Sequence, residues 1–340
     1  MDARTDGTAE GPAAGTARED PGATDRWLEA LCAQEAGAAR PDPVPPTASR
    51  ARERLRWLAV PDADAAEALS AAPDPRRTPG LWQALLRCHR ALFSGAPVAW
   101  PDAPAELGAA GRYFYLHLYL LALPAALEAQ AARGVPADVV RATFADVGAK
   151  TASYRNVHGA GGFDRQAWAV RHYRGLLYRL GRLQFERAAL DAAACGGAPH
   201  GGGPADGETV LDVHIPGGGP MTPAACDASF AAAPGFFGRY FPGTAYRHAT
   251  CHSWLLDGRL ADHLPADSNI VRFQARFRLF GRWPVSDDDV LRFVFEVDPA
   301  TADRDRLPAV TGVQRAVLGH LRSGGHWRTA HGWAPLPDPS

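Results

Sequence analysis

Two short segments in the second half of the sequence carry side chains that are able to move a proton. Residues 210–215 alternate in the period of a β-strand, which predicts Asp212 and His214 on one face and apolar residues on the other. An imidazole titrates near neutral pH, so His214 is the first candidate for a general base, and Asp212 is the candidate for orienting it. The alternative is a histidine and a carboxylate that are merely solvated on the surface of a sheet.

The predicted strand is followed by a glycine-rich loop and a helix. The residues Gly217, Gly218 and Gly219 leave the backbone free to approach a ligand closely. Thr222 is a good N-cap residue, and the proline after it suits the first position of a helix. Because backbone amides and the positive end of the helix dipole meet at such a start, the segment predicts a phosphate site. An ordinary glycine turn before a helix is the alternative.

The second segment, residues 251–257, places Cys251, His252 and Ser253 next to one another. Adjacent residues of a strand point to opposite faces, so the thiol and the imidazole cannot pair directly if the segment is extended. We therefore interpret Cys251 as a buried structural thiol and keep His252 and Ser253 as candidates for proton transfer.

A row of arginines follows. The alternation in residues 269–280 predicts a strand with Arg272, Arg276 and Arg278 on one face. Three guanidinium groups on one face are suited to an anionic ligand. The alternative is a solvated sheet face in an arginine-rich protein.

Composition limits the classes of function that these residues can serve. The chain has 340 residues, 36 basic and 37 acidic side chains and a formal net charge of −1, which does not indicate a nucleic-acid partner. Five scattered cysteines without CxxC spacing are typical of reduced thiols in the cytoplasm. The start of the sequence lacks an apolar secretory segment, and residues 113–127 are too short to span a membrane, so a cytoplasmic protein without membrane association is expected. Twelve histidines show no metal-ligand spacing, so no metal is expected.

The periodicity divides the chain into three parts. Residues 1–24 lack periodicity and are predicted to be a disordered tail. Residues 25–178 carry amphipathic and buried helical patterns and are predicted to form an all-helical domain. Residues 179–335 alternate in the strand period, with strands predicted at 247–255, 269–280 and 291–297 and helices at 222–241 and 304–321. The predicted class is α+β, a helical domain followed by a domain with a mixed, mostly antiparallel sheet.

Longer strings in the sequence resemble a family of bacterial acyltransferases. They are VLDVHIPGGGPMTPAACDASF at 210–230, CHSWLLDGRLADHLPADSNIVRFQARF at 251–277, LLYRLGRLQFE at 176–186 and GVPADVVRATFADVG at 134–148. Members of that family join an N-acyltransferase N-terminal domain to a GNAT-like C-terminal domain, and the resemblance extends over roughly residues 45 to 333. It implies a GNAT-like fold for the second domain, with acyl-CoA in a V-shaped opening of the sheet.

The resemblance also implies roles for the candidate residues. The glycine loop at 217–219 and the amides near Thr222 would hold the CoA pyrophosphate, and the backbone from Val213 to Ile215 would polarise the thioester carbonyl. His252 or Ser253 would protonate the leaving thiolate. The arginine row would bind the 3′-phosphate of CoA or an anionic acceptor.

The implied reaction transfers an acyl group from a CoA thioester, a co-substrate rather than a permanent cofactor, to a small-molecule or peptide amine. The loop reads PGGGPMT at residues 216–222, whereas GNAT enzymes typically carry a Q/R-x-x-G-x-G/A signature there. That departure leaves open a second reading, in which the protein binds acyl-CoA or a protein partner without catalysis. The sequence does not indicate an oligomeric state.

Overall fold

The computed structural model describes residues 22–33 and 42–338. Residues 1–21 of the predicted tail lie outside the described part of the chain. Residues 23 and 24, which the prediction also placed in the tail, form the beginning of the first helix.

The first half of the chain is helical, as predicted. Its centre is the helix that begins at Phe114, and this helix is buried on nearly all sides along its first ten residues. A stretch so uniformly apolar can only be stable inside a core. The helix ends where Gly134 takes up a left-handed conformation with φ of 75°. The helices of this half are α1 (Ala23–Cys32), α2 (Ala48–Trp57), α3 (Asp62–Ser70), α4 (Pro79–Leu92), α5 (Gly108–Arg112), α6 (Phe114–Arg133), α7 (Ala137–His158) and α8 (Gln166–Tyr173).

The second half is built on a mixed sheet of six described strands in the order β1-β2-β3-β4-β6-β5. All neighbouring strands are antiparallel except β3 and β4, which are parallel. A parallel pair needs a crossover connection, and the helix α9 (Pro223–Tyr240) provides it. The predicted α+β class and mostly antiparallel sheet are confirmed. The strands are β1 (Leu177–Leu180), β2 (Leu183–Ala189), β3 (Thr209–His214), β4 (His248–Ser253), β5 (Arg278–Phe280) and β6 (Ala330–Pro335).

The sheet opens between its two parallel strands. The β3–β4 pairing consists of Leu211 with Ala249 and Asp212 with Thr250, and it goes no further. On its other side, β3 remains paired with β2 as far as His214. On the far side of the opening, β4 remains paired with β6 over its full length. The ends of β3 and β4 therefore diverge, which forms a V-shaped gap in the sheet.

Two predicted strands of the second half are wrong. Residues 269–274 form a helix whose N-cap, Ser268, accepts a hydrogen bond from the backbone N–H of Val271, and only 278–280 of the predicted strand are extended. Residues 291–295 belong to a helix with three aspartates in its first turn, where they complement the helix dipole. The last predicted helix begins at Gly312 rather than at 304, after a capping box of Thr311 and Gln314. The helices after β4 are α10 (Leu260–His263), α11 (Asn269–Gln274), α12 (Asp287–Phe295) and α13 (Gly312–Arg322).

The alternation in residues 269–280 was ambiguous for a simple reason. Phe273 and Phe277 are two strand periods apart, but they are also one helical turn apart. In the structure both are buried, their ring centroids are 5.3 Å apart, and Phe277 contacts Phe230 of α9. The apolar pair thus packs against α9 in a helical segment and the turn after it.

Candidate active site

A cavity of about 930 Å³, here called the active-site cavity, lies where the sheet opens. Residues from both halves of the chain line it. The helical half contributes Lys150, Arg165 and Trp168 from α7, α8 and the loop between them. The sequence-derived candidates that line it are Val213, His214, Ile215, Gly217, Gly219, His252 and Ser253.

His214, at the end of β3, is held by carboxylates. Its Nε2 lies 2.9 Å from Oε2 of Glu186 and 3.6 Å from Oδ2 of Asp212. Because β2 pairs with β3, Glu186 lies directly opposite Asp212 in the sheet. Asp212 also accepts a hydrogen bond of 2.9 Å from the hydroxyl of Thr250 on β4. The imidazole is therefore fixed from two strands while about a fifth of its side chain stays exposed to the cavity.

The two carboxylates respond differently to this environment. Burial alone would raise the pKa of Glu186, but the hydrogen bond with His214 and the charge of Arg171 outweigh it and lower the pKa. Burial raises the pKa of Asp212, and the nearby His214 and the Thr250 hydroxyl offset only part of this effect. Glu186 is thus the more firmly ionised partner of the imidazole, whereas the sequence predicted that role for Asp212.

The helical half completes the surroundings of His214. The indole of Trp168 meets the imidazole edge-on, with ring centroids 4.7 Å apart. Its Nε1 donates a hydrogen bond of 2.7 Å to the buried carboxylate of Asp146 on α7, which fixes the ring. From the same helix as Trp168, the guanidinium of Arg171 donates to Glu186 at 2.9 Å. The first half therefore helps to position His214, the candidate base in the second half.

Sequence reasoning missed these three contributors, Glu186, Trp168 and Arg171. Glu186 ends the string LLYRLGRLQFE, which supports the family resemblance without assigning this residue a role. Its pairing register with Asp212, 26 positions later, is not visible in one sequence. The approach of α8 to the sheet is a tertiary contact for which the residue pattern holds no signal.

The glycine loop adopts a conformation that suits glycine. Gly218 and Gly219 have φ of 85° and 89°, in the left-handed region, and no atom would meet an added Cβ at either position within 4 Å. Arg182 holds the loop from below, because its guanidinium donates to the carbonyls of Pro216 at 2.8 Å and Gly219 at 3.1 Å. Thr222 caps α9 as predicted and accepts a hydrogen bond from the N–H of Ala225.

The facing strand carries His252 and Ser253 at the other side of the opening. His252 stacks on His331 of β6, with ring centroids 4.2 Å apart and planes within 4° of parallel. Burial lowers the pKa of His252, and burial together with the neighbouring imidazole lowers the pKa of His331 to about 4. The hydroxyl of Ser253 accepts a hydrogen bond from the N–H of Leu255. Cys251 is buried, and burial raises the pKa of its thiol.

The predicted arginine row does not exist. Arg272 lies in α11, Arg276 lies beyond its end, and only Arg278 is in a strand, because the segment is mostly not extended. Arg276 donates to Asp227 of α9 at 2.6 Å, and Arg278 donates to the carbonyl of Gly201 and lies over the ring of Trp333. No residue of the predicted row is among those that line the active-site cavity. The three guanidinium groups therefore do not share one strand face, and a role for them in binding an anion stays a prediction.

Among the described residues, one group has the spacing of a metal site. Glu186, Asp212 and His214 each offer one ligand atom, and these atoms lie within 4.8 Å of one another. The same contacts are accounted for by hydrogen bonding, since the imidazole bonds to Glu186, which also binds Arg171. We therefore interpret the group as an acid–base cluster.

Comparison with known proteins identifies both halves of the chain. Residues 49–175 match the model of the N-acyltransferase N-terminal domain, and residues 177–334 match that of the GNAT-like C-terminal domain. No curated protein matched the chain. Within the part of the chain that the structure describes, no helix is long and apolar enough to cross a membrane.

Several solved structures are similar over nearly the whole chain. A tryptophan-to-alanine mutant of an acyltransferase in complex with octanoyl-CoA is 37% identical, with a TM-score of 0.80 over 92% of this chain and 94% of that chain. An acyltransferase in complex with decanoyl-CoA and teicoplanin has the same identity, TM-score and coverage. An acyltransferase in complex with CoA and 10C-teicoplanin is 36% identical, also with a TM-score of 0.80.

Proposed function

The chain belongs to the family that joins an N-acyltransferase N-terminal domain to a GNAT-like C-terminal domain, and we propose that it transfers an acyl group from acyl-CoA to an amine. The observation that carries the proposal is the placement of His214 at the end of β3, bound to Glu186 and open to the cavity in the divided sheet. An imidazole that is oriented by a carboxylate and open to a cavity is suited to general-base catalysis.

The acyl-CoA is assigned to the β3 side of the opening. The loop of Gly217, Gly218 and Gly219 would receive the pyrophosphate, since it precedes the N-terminus of α9 and Arg182 adds positive charge beside it. The N-terminus of α9 supports this assignment, because the positive end of the dipole of this 18-residue helix lies next to the loop and favours an anion there. Acyl-CoA would act as a co-substrate, and the complexes of similar acyltransferases with octanoyl-CoA and decanoyl-CoA support this proposal.

The proposed reaction is a direct transfer. The amine nitrogen attacks the thioester carbonyl, a C–N bond forms, and the C–S bond breaks. Glu186 accepts the Nε2–H of His214, which leaves the lone pair of Nδ1 to take the proton that the amine loses. Backbone amides of Val213 to Ile215 would stabilise the negative charge on the carbonyl oxygen. On the facing strand, Ser253 is the candidate for donating a proton to the CoA thiolate, and His252, whose pKa is lowered by burial, would donate a hydrogen bond from its neutral imidazole.

The acceptor is proposed to be a small-molecule amine or a peptide amine. Two of the similar acyltransferases are complexed with teicoplanin or 10C-teicoplanin. The active-site cavity supports an acceptor of that kind, because residues of both halves line it and its wall combines charged, polar and apolar side chains.

Titration of the purified protein with acetyl-CoA, octanoyl-CoA and CoA tests the proposal. We expect binding of all three, and weaker binding by at least tenfold in Gly218→Val, because a branched side chain in the left-handed region strains the loop. Gly217→Ala is the matched control, since Gly217 is not in that region and its Cβ position is open. The absence of binding to a folded wild-type protein would contradict the function, whereas binding without acyl transfer to a panel of amines would favour the non-catalytic alternative.

A further inference from the structure

We propose that two cations of the helical half, Lys150 and Arg165, bind a carboxylate of the acceptor. Both residues line the active-site cavity, Lys150 from α7 and Arg165 from the loop before α8, and they are here called the wall cations. The inference rests on the proposed function. It narrows the acceptor from any amine to an amine that also carries an acidic group.

Lys150 is the only lysine among the 36 basic residues of the chain. Its side chain is 23% exposed, and its Nζ lies 3.9 Å from Oδ1 of Asp146, which is too long for a hydrogen bond. The other oxygen of Asp146 accepts from the indole of Trp168 and lies 3.3 Å from Nε2 of His172. Among the described residues, the ammonium therefore has an acidic neighbour but donates no hydrogen bond.

Arg165 is in a similar state. Its Nε lies 3.4 Å from Oδ1 of Asp164, the preceding residue. The charge of Asp164 is shared, because its Oδ2 is also 3.7 Å from Arg292 and 3.7 Å from His158. No group in the described part of the chain accepts a hydrogen bond from the guanidinium of Arg165. The helical half thus presents two sets of unused donors to the cavity.

The neighbouring arginines differ in this respect. Arg182 donates to two carbonyls of the glycine loop, and Arg171 donates to Glu186. Their hydrogen bonds hold the loop and the candidate base in place. The wall cations hold no such element, although most of each side chain is withdrawn from water. Charge-assisted hydrogen bonds to a bound carboxylate would replace the hydration that they have lost.

The position of Lys150 relates the bound anion to the reacting amine. Its Nζ is 5.8 Å from the centre of the Trp168 ring, and the centre of the His214 ring is 4.7 Å from that of Trp168. An acceptor whose amine contacts His214 would therefore place groups a few bonds away beside Lys150. The phosphates of CoA already have donors at the glycine loop and the first turn of α9. A carboxylate of the acceptor is the anion that remains.

The part of the cavity wall that the second half contributes carries the opposite charge. Asp289 on α12 lines the same cavity and accepts a hydrogen bond of 2.8 Å from the hydroxyl of Ser286. Glu186, beside His214, has a lowered pKa and is ionised. Acidic groups near the base and cations on the helical half are complementary to a molecule with both an ammonium and a carboxylate group.

Two acceptors that differ in one charge test the inference. Trialanine offers an amine and a carboxylate, and trialanine amide offers an amine alone. With octanoyl-CoA as the donor, the wild type is expected to have a kcat/KM at least roughly tenfold higher for trialanine, mainly through KM, because the amide forms no charged hydrogen bond. Lys150→Gln and Arg165→Gln should each reduce this ratio at least roughly threefold.

Further measurements separate charge, position and the source of the anion. Lys150→Arg keeps the positive charge and should retain most of the preference for trialanine. Arg292→Gln is the matched control, because Arg292 also lies beside Asp164 but does not line the active-site cavity, and it should keep the wild-type ratio. The KM for octanoyl-CoA should stay within about twofold of the wild type in all four variants.

Equal use of trialanine and its amide by the wild type would overturn the inference, as would a ratio that Lys150→Gln and Arg165→Gln leave unchanged. A raised KM for octanoyl-CoA with an unchanged acceptor ratio would overturn it too, since the cations would then bind a phosphate of CoA.

Failure of the proposed function gives a different result, in which neither peptide is acylated. Calorimetric titration of both peptides into the CoA-bound protein then decides about the anion site. Tighter binding of trialanine that is lost in Lys150→Gln supports the site, and equal or absent binding of the two peptides overturns it.

Discussion

Two histidines face each other across the opening of the sheet, and their surroundings differ. His214 on β3 is bonded to Glu186 and lies within 3.6 Å of Asp212. His252 on β4 stacks on a second imidazole, and burial lowers its pKa. The first imidazole is oriented by an adjacent carboxylate, whereas the second lies in an environment that disfavours its protonated form. Similar positions on paired strands thus give one side chain suited to accept a proton and one that stays neutral.

The difference arises from what lies beside each strand. Next to β3 is β2, which contributes Glu186, and α8 covers this side with Trp168 and Arg171. Next to β4 is β6, which contributes His331 at the position paired with His252. The helical half contacts His214 through Trp168, so the surroundings of this candidate base in the second half include the first.

Replacement of the two histidines should have the largest and most unequal effects. His214→Asn removes the proposed base, so kcat should fall on the order of 100- to 10,000-fold, while octanoyl-CoA still binds. His252→Asn should lower kcat by less than about tenfold, because a neutral imidazole contributes at most a hydrogen bond at that position. Steady-state kinetics with an amine acceptor, together with calorimetry, measure both variants. Equal losses in the two variants would remove the distinction between the histidines.

Glu186→Gln tests whether the carboxylate makes the difference. The amide keeps the size of the side chain but loses its charge, so the imidazolium that forms during proton transfer is no longer stabilised by an ionised partner. We expect kcat to fall roughly 10- to 100-fold, with KM for the acyl-CoA within twofold of the wild type. Asp212→Asn is the matched control. It should lower kcat by less than Glu186→Gln does, because burial raises the pKa of Asp212 and disfavours its ionised form. A larger loss in Asp212→Asn would restore the aspartate as the orienting group.

The strand β3, the glycine loop and α9 could be predicted because the sequence features that indicate them are local. Alternation, three glycines and a threonine–proline start are properties of neighbouring residues, and they predicted β3, the loop and α9. The region after β4 was mispredicted, since Phe273 and Phe277 fit one face of a strand and of a helix equally well. Contact with Phe230 of α9 decides between them, and such a contact does not show in the pattern.

The same limit applies to the candidate site. His214 was identified because histidine is a chemically distinctive residue on a strand next to a glycine loop. Glu186 and Trp168 act only through the register of two strands and the packing of α8 on the sheet. Long-range contacts of this kind require the folded structure, so the candidate base could be chosen from the sequence and its partners could not.

The neutral pair formed by His252 and His331 predicts a pH-dependent stability. Burial and the neighbouring imidazole lower the pKa of His331 to about 4, compared with roughly 6.5 in an unfolded chain. Between these values the unfolded state binds a proton that the folded state does not, so stability decreases as the pH falls from about 6.5 to about 4. His331→Phe removes the contribution of His331 to this pH dependence and keeps an aromatic ring against His252. The decrease in Tm between pH 7 and pH 4.5 should be smaller in the variant by roughly 2–4 °C, and equal decreases would contradict the assignment.

The smallest effect is expected at Arg276, one of the arginines that the sequence placed in an anion site and that the structure distributes over α11, the turn after it and β5. Arg276 binds Asp227, of which 67% is exposed, and such pairs contribute about 0–1 kcal/mol. Arg276→Gln should therefore leave KM for acyl-CoA within twofold and lower Tm by at most roughly 2 °C. Arg182→Gln is the matched control, because Arg182 holds the carbonyls of Pro216 and Gly219 and lines the active-site cavity. It should raise KM several-fold, and the reverse ranking of the two variants would place the phosphates of CoA near α11 instead of at the glycine loop.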